Sequence, residues 1–169
     1  MTWGAWGSFS GMQTDGSDVV GLTAGASNAL RCASPSFPAD QSATITLTSI
    51  GGVYLGCMVR IQGAADTRAY QLQTNGNTTD LVVNLFATNG SDVGTQLGAT
   101  ITTTHGTGGS GAMAIGDTIG LQIVGTTLTI FVNGISETTR TDATLASGQP
   151  GIYIYSNNGQ RDFSATSIP

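Results

Sequence analysis

The sequence contains no lysine and a single glutamate, Glu137, and charged residues make up only 9% of its 169 residues. Its five basic residues are all arginines scattered along the chain, and the formal net charge is −5. Nucleic-acid surfaces need clustered positive charge, and so do surfaces that dock on anionic lipid. The composition therefore argues against both kinds of partner, and it predicts a polar surface that is almost uncharged.

Long apolar runs and helical patterns are also lacking. No stretch approaches the length of a membrane-spanning helix, so we expect no membrane insertion. The segment Met1–Trp6 has neither the basic nor the apolar region of a signal peptide. We therefore expect a protein that is made without secretion, or one from which a signal has been removed.

Only two cysteines are present, Cys32 and Cys57, which is too few for a disulfide framework. Strand parity places both on inward faces. They could bond if their strands were neighbours, with Cα atoms roughly 4.4–6.8 Å apart. Because no signal peptide is visible, two separate buried thiols are favoured.

Glycine is abundant, with 25 residues, threonine and serine are frequent, and apolar residues recur in short alternating runs. The clearest run is 116–134, where two strands with alternating apolar residues end at Asn133-Gly134. A period of two buries one face of each strand, and Asn-Gly suits a type I′ hairpin turn. Roughly eleven to thirteen such strands follow one another at the spacing of a sandwich. The sequence therefore predicts one all-β domain over residues 1–169, an antiparallel two-sheet β-sandwich.

The C-terminal third resembles a known fold family. It contains GDTIGLQIVGTTLTIFVNG (116–134), TDATLASGQPGIYIY (141–155) and RDFSATSI (161–168). These segments resemble a pattern of a "GD" strand, a strand ending in "VNG", a "sGrpGl" strand and a closing "DdFs" strand. That pattern is typical of concanavalin A-like lectin and glucanase domains, the laminin-G-like jelly rolls. The resemblance implies two curved antiparallel sheets with a face or loop edge open to a ligand. Asp117 and Asp142 match acidic positions of the family, where they are expected to fix turns.

Catalytic groups are scarce. Family members that hydrolyse β-glucans use paired glutamates on one strand, and a retaining glycosidase needs two carboxylates about 5 Å apart. This chain has only Glu137, and no strand carries two closely spaced carboxylates. The lone histidine, His105, begins a glycine-rich loop (105–111) that we expect to be flexible and unpacked. A solvated histidine is favoured over a metal ligand or general base, and we expect no enzymatic activity.

Three loops could ligate calcium: Asp15–Asp18, Asn75–Asp80 and Asn89–Asp92. Calcium favours several oxygen ligands from such loops. The same residues also occur in turns without metal, because Asn and Asp tolerate left-handed backbone and cap it. The turn interpretation is favoured, and no cofactor is expected.

The best candidate binding surface is the outward face of the strands between residues 53 and 87. Aromatic side chains there would stack on sugar rings, while arginine and carboxamide groups would bond sugar hydroxyls. The alternatives are that this face packs on another subunit or is only solvated. The candidate residues are Tyr54, Arg60, Gln71, Gln73, Asn84 and Phe86, and Tyr153 and Tyr155 form a second patch.

Two classes of function remain. The first is a non-catalytic, lectin-like structural or interaction protein on the surface of a bacteriophage virion, as a capsid decoration (cement) protein or a tail-fibre domain. The resemblance supports this class, because lectin-like jelly rolls are frequent on phage particles. Expected partners are other virion subunits or further copies in a homo-oligomer, and cell-surface polysaccharide. The alternative is a carbohydrate-binding module of a secreted bacterial protein.

Overall fold

The computed structural model describes residues 2–5, 11–14, 19–23, 25–50, 54–63, 66, 68–86, 94–155 and 159–168. Within these residues all regular structure is β-strand, apart from one short 3₁₀ turn at Gly109–Gly111. No helix in this described part is long and apolar enough to cross a membrane. The strands are β1 (Thr2–Ala5), β2 (Met12–Thr14), β3 (Val19–Gly21), β4 (Ser27–Ser34), β5 (Gln41–Leu47), β6 (Leu55–Ile61), β7 (Ala69–Thr74), β8 (Asp80–Phe86), β9 (Thr95–Gln96), β10 (Ile101–Thr102), β11 (Thr118–Val124), β12 (Thr127–Val132), β13 (Ile135–Thr141), β14 (Gln149–Tyr155) and β15 (Gly159–Ser167).

The strands form two antiparallel sheets. The front sheet has the order β1-β4-β14-β6-β7-β8-β10, and β9 also pairs with β8. The back sheet has the order β13-β12-β11-β5-β15-β3-β2. The predicted fold class, an all-β antiparallel two-sheet sandwich, is confirmed.

The core lies between the sheets and is built from alternate residues of the central strands. Burying one such side chain contributes about 1.5–3 kcal/mol to the free energy of unfolding. The predicted turn at Asn133-Gly134 is present, since these residues have φ of 51° and 76°, as a type I′ turn requires. The confirmed inward residues include Ile45, Leu47, Leu55, Cys57, Val59, Tyr70, Leu72, Leu81, Val83, Ile119, Leu121, Ile123, Leu128, Ile130, Val132, Ile152 and Ile154.

The pairing of β14 is the topological feature that shapes the front sheet. This strand comes late in the chain but inserts between β4 and β6, so that Tyr153 lies opposite Ala29 on one side and Gly56 on the other. The insertion also separates the cysteines, since Cys32 lies on β4 and Cys57 on β6. Strands two positions apart are about 9–10 Å apart, too far for a disulfide. Both cysteines are buried thiols, as predicted.

A β-bulge at the end of β6 changes which residues face outward. The register with β14 shifts between Gln149 and Gly151, and Arg60 adopts a left-handed φ of 52°. An extra residue reverses the parity after it. Ile61 therefore packs with Met58 on the outer face, although strict alternation along β6 would place it in the core with Val59.

The glycine-rich loop after His105 is packed rather than open. A Cβ atom added at Gly106 or Gly111 would collide with the backbone oxygens of Ala112 or Thr104. The missing side chains allow one backbone to approach another closely. The prediction that this loop is too rich in glycine to pack is therefore wrong.

Candidate functional site

The outer face of the front sheet contains a cavity of about 410 Å³. It is broad enough for a small ligand, since ligand pockets run from about 300 to 1,000 Å³. Its lining combines tyrosines with carboxamides, and no charged side chain occurs among the described residues of this lining. The lining residues are Ser27, Tyr54, Gln71, Gln73, Asn75, Val82, Asn84, Gly94, Gln96, Tyr153 and Tyr155.

Strand register explains which side chains meet on this face. One row of outward residues runs across four strands as Tyr153, Gly56, Gln73 and Val82, each opposite the next. Gly56 has no side chain, and it is buried like the rest of β6. A Cβ atom at Gly56 would collide with the backbone oxygen of Leu72. The glycine therefore lets β6 and β7 approach closely beneath the cavity-lining residues Tyr153, Gln73 and Val82.

The next row supplies the polar part of the lining. Met58, Gln71, Asn84 and Gln96 lie opposite one another across β6, β7, β8 and β9. Gln71 is fully buried, and its Oε1 accepts a hydrogen bond of 3.0 Å from Asn84 Nδ2. The Nε2 atom of Gln71 is also buried, but it has no hydrogen-bond partner in the part of the chain that the structure describes. A buried donor without a partner carries an unfavourable desolvation cost of about 1–3 kcal/mol.

Three tyrosines form the other wall. The rings of Tyr54 and Tyr155 meet edge to face, with centroids 5.8 Å apart and planes at 88°. The hydroxyl of Tyr153 lies 3.0 Å from Ser27 Oγ. Gly76 has a φ of 71°, and a Cβ atom there would come within 3.2 Å of the Tyr54 hydroxyl. The Tyr155 side chain is 37% exposed and sits at the rim.

Six predicted candidates line this one cavity: Tyr54, Gln71, Gln73, Asn84, Tyr153 and Tyr155. The sequence divided them into two patches because the insertion of β14 beside β6 is a long-range pairing. That these residues bind a ligand stays a prediction. Phe86 lies opposite Ala69 in the sheet, and its side chain is outside the described part of the structure.

Arg60 does not lie on the cavity, and its predicted place on this face is wrong. The bulge directs its guanidinium to the side of the sandwich, where its side chain is only 3% exposed. Nε donates to Ala39 O at 2.9 Å, and Nη1 donates to Leu145 O at 2.7 Å. Asp40 lies 3.4 Å from Nη2. Burial lowers the pKa of Arg60. The arginine thus connects loops at the end of the sheets.

Sequence reasoning missed the remaining lining residues. Val82 had the correct outward parity, which was its only signal. Gly94 and Gln96 reach the cavity because β9 adds to the sheet beside β8. Ser27 and Asn75 lie at strand ends, where parity arguments are weakest.

The outer face of the back sheet differs in chemistry. It holds a smaller pocket of about 190 Å³. Phe131 is the one aromatic residue in its described lining, and the remaining side chains are mostly short. The lining residues are Ser42, Thr44, Thr118, Gly120, Leu121, Gln122, Phe131 and Gly134.

The acidic residues Asp117 and Glu137 hold the packed loop. Asp117 accepts hydrogen bonds from Thr107 N at 2.9 Å, Thr107 Oγ1 at 2.8 Å, Ala114 N at 2.8 Å and Asn133 Nδ2 at 3.0 Å. Glu137 accepts from Thr104 N at 2.8 Å and His105 N at 3.0 Å. Burial opposes ionisation of both groups, but these hydrogen bonds outweigh it and lower both pKa values.

Asp142 fixes a turn in the same manner. Tyr70 donates its hydroxyl to Asp142 Oδ1 at 2.6 Å, and Thr144 N donates to the same oxygen at 2.8 Å. Burial and this carboxylate raise the pKa of Tyr70 to about 12. The expected turn-fixing roles of Asp117 and Asp142 are confirmed by these contacts.

One of the three suggested calcium loops is described, and its groups bond one another. Asn77 Oδ1 accepts from Thr79 N at 3.0 Å and from Asp80 N at 2.7 Å, which is an Asx turn. Asn77 Nδ2 donates to Asp80 Oδ2 at 2.8 Å. The loops Asp15–Asp18 and Asn89–Asp92 lie outside the described residues. No group of three or more His, Cys, Asp or Glu side chains placed to hold a metal occurs in the described ranges.

No protein-family model matches the sequence, and no curated protein does. Solved structures do match the fold. The carbohydrate binding module CBM66 from Bacillus subtilis is 14% identical with a TM-score of 0.67, over 97% of this chain and 100% of that one. The VIP36 exoplasmic/lumenal domain in its Ca2+/Man3GlcNAc-bound form is 13% identical with a TM-score of 0.62, over 99% and 84%.

The Crh5 transglycosylase in complex with NAG is also similar, at 12% identity and a TM-score of 0.56. The match covers 94% of this chain and 62% of that one. At these identities the likeness shows the fold alone. The chain therefore has the same jelly-roll sandwich fold as these structures, which is the fold that its C-terminal segments suggested.

Proposed function

We propose that this chain is a non-catalytic carbohydrate-binding domain whose site is the cavity on the outer face of the front sheet. The observation that carries the proposal is the lining itself, in which tyrosine rings and carboxamide groups surround one cavity. Sugars present apolar ring faces and many hydroxyls. Tyrosine offers an apolar face with a polar tip, and carboxamides offer donors and acceptors.

The similar structures support this ligand class. By their names, one is a carbohydrate binding module, one was solved with a mannose-containing glycan, and one with NAG. Because this fold carries many functions, the proposal rests first on the residues that line the cavity and only second on the similarity to these structures.

The absence of catalysis is part of the proposal. Glycoside hydrolysis by the common route needs two carboxylates beside the scissile bond, and the described lining of the cavity contributes none. Glu137 lies elsewhere, and its oxygens accept hydrogen bonds from Thr104 and His105. We therefore propose binding without turnover.

Calcium is not needed in this account, because the polar groups around the cavity are amides and hydroxyls. Binding should then survive EDTA. Loss of binding in EDTA would instead move the site to Asp15–Asp18 or Asn89–Asp92, the acidic loops named from the sequence.

The setting of this activity stays a prediction. The first setting is a virion-surface protein that packs on other virion subunits or on its own copies. Such a protein could bind host polysaccharide through the same cavity. A carbohydrate-binding module of a secreted protein is the alternative. Sedimentation of the purified chain separates them: a stable symmetric oligomer favours the first, and a monomer favours the second.

The direct test is a glycan array with the purified protein, run with calcium and again with EDTA, followed by titration of the best glycan. Replacing the rim residue Tyr155 by alanine should weaken binding about tenfold, because a stacking surface is lost. Phe131→Ala removes a half-buried aromatic from the outer face of the back sheet and should leave binding unchanged. No binding across the array, or equal effects of the two variants, would contradict the proposal.

A further inference from the structure

The unpartnered amide of Gln71 is the most informative feature of the cavity. Gln71 is fully buried on β7, and its Nε2 atom has no hydrogen-bond partner among the described residues, while its Oε1 is bound to Asn84. The side chain is one of those that line the cavity, and from this placement we infer that the unpaired amide position faces the ligand. A ligand atom that bonds this amide would remove its desolvation cost.

Either orientation of the Gln71 amide leaves one buried polar atom unpaired. If both amides were flipped, Asn84 Oδ1 would accept from Gln71 Nε2, and Gln71 Oε1 would then be the unpaired atom. One orientation calls for an acceptor on the ligand and the other for a donor. A hydroxyl group supplies either, because it has one donor and two acceptor lone pairs.

Charge restricts the ligand further. The described lining has no arginine, lysine or histidine that could pair with a carboxylate or sulfate. The whole chain carries a formal net charge of −5, which repels anions. An anionic sugar would therefore lose its hydration without gaining a counter-charge.

Resting on the proposed function, we propose that the cavity selects an uncharged saccharide and that the Gln71 carboxamide recognises one of its hydroxyls. Tyrosine rings give affinity for many sugars, whereas a buried amide that needs a partner discriminates between them. Sites built to bond a hydroxyl reject analogues that lack it more strongly than apolar sites reject added groups.

The unmodified chain tests the charge part. The probe is the neutral glycan that binds best on the array, compared with its uronate analogue, in which the exocyclic hydroxymethyl is a carboxylate. We expect at least about tenfold weaker binding of the uronate, and affinity for the neutral glycan that changes little with salt. Equal or tighter binding of the uronate would overturn the inference while leaving carbohydrate binding intact. No binding of any glycan would defeat both proposals.

A series of monodeoxy analogues tests the role of Gln71. One analogue should bind the unmodified chain about tenfold more weakly than the parent glycan. Gln71→Ala should bind the parent and that analogue equally, because the interaction has already been removed. A residue with only a structural role would weaken both ligands and leave their ratio unchanged, and that result would overturn the assignment.

Three further variants guard against misfolding. Gln71→Glu should weaken binding of the neutral glycan at least about tenfold, whereas Gln122→Glu, on β11 of the back sheet, should not. Gly94→Ala leaves Gln71 in place, but its Cβ atom would lie 2.7 Å from Asn84 Cβ and displace the paired amide. Deoxy-analogue discrimination that survives Gly94→Ala in a folded protein would count against the Gln71–Asn84 pair as the recognition element.

Discussion

The two sheets of this sandwich share one core but have different outer faces. In the front sheet every residue of β6 is buried, so the strand is covered on both sides. In the back sheet β5 alternates between buried and half-buried residues. The outward positions explain the difference: β6 presents Gly56 and Met58, whereas β5 presents Ser42, Thr44 and Thr46.

The difference separates the requirements of folding from those of binding. A period-two apolar pattern on the inward face is enough to form either sheet. The front sheet adds a second buried cluster that includes Met58, Ala69 and Tyr153, with a cavity beside it. Outward residues that are buried but not needed for the core are therefore where function is best sought.

The largest expected effect comes from the central glycines of the two outer faces. Gly56→Ala places a Cβ atom against the Leu72 backbone and 3.0 Å from Gln73 Cβ, and it should lower the free energy of unfolding by about 2–3 kcal/mol. Gly120→Ala, in the back sheet, meets the Thr44 hydroxyl at 3.0 Å. That group can rotate, so we expect a change within about 1 kcal/mol. Urea denaturation measures both changes in the free energy of unfolding. Equal changes would contradict the difference between the two outer faces.

Acid should lower the free energy of unfolding without changing glycan affinity at the front-sheet cavity. The pKa values of Asp117, Glu137 and Asp142 are lowered in the folded state. Their contribution to stability is therefore present above the unfolded values of about 4 and is lost as the pH falls through the folded ones. We expect constant stability between about pH 5 and 8 and a fall below about pH 4.

Asp117→Asn should lower the free energy of unfolding by about 1–2 kcal/mol at pH 7 and flatten the acid slope. Glycan affinity of the unmodified chain should stay constant from about pH 5 to 8, because the described cavity lining contains no aspartate, glutamate or histidine. Stability is followed by thermal unfolding at several pH values. A binding midpoint near neutral pH would place a titrating group at the site.

Local patterns predicted much of the fold because they report burial directly. Parity placed Tyr70 and Leu72 in the core, with Gln71 and Gln73 on the other face of β7. The pairing of β14 beside β6 could not be predicted, since it depends on which sheet edges meet in three dimensions. Without that pairing, the tyrosines of β14 stayed a separate patch.

The other errors have local causes that a pattern does not show. Arg60 was misplaced because a bulge changes the parity at this point, and β6 itself has no glycine or proline beside Arg60 to mark it. The loop after His105 was predicted to be unpacked because glycine content suggested freedom. Asp117 and Glu137 hold this loop although both lie outside it in the sequence. Their hydrogen bonds to Thr107 and Thr104 therefore form only in the folded chain.

NMR titration of the labelled protein with the best neutral glycan tests most directly whether the front face binds sugar and the back face does not. The account predicts shifts of the side-chain amides of Gln71 and Asn84 and of the backbone around Tyr155. Signals of Thr44, Thr118 and Gly120 on the back face should stay in place. Shifts confined to the back face would contradict the account.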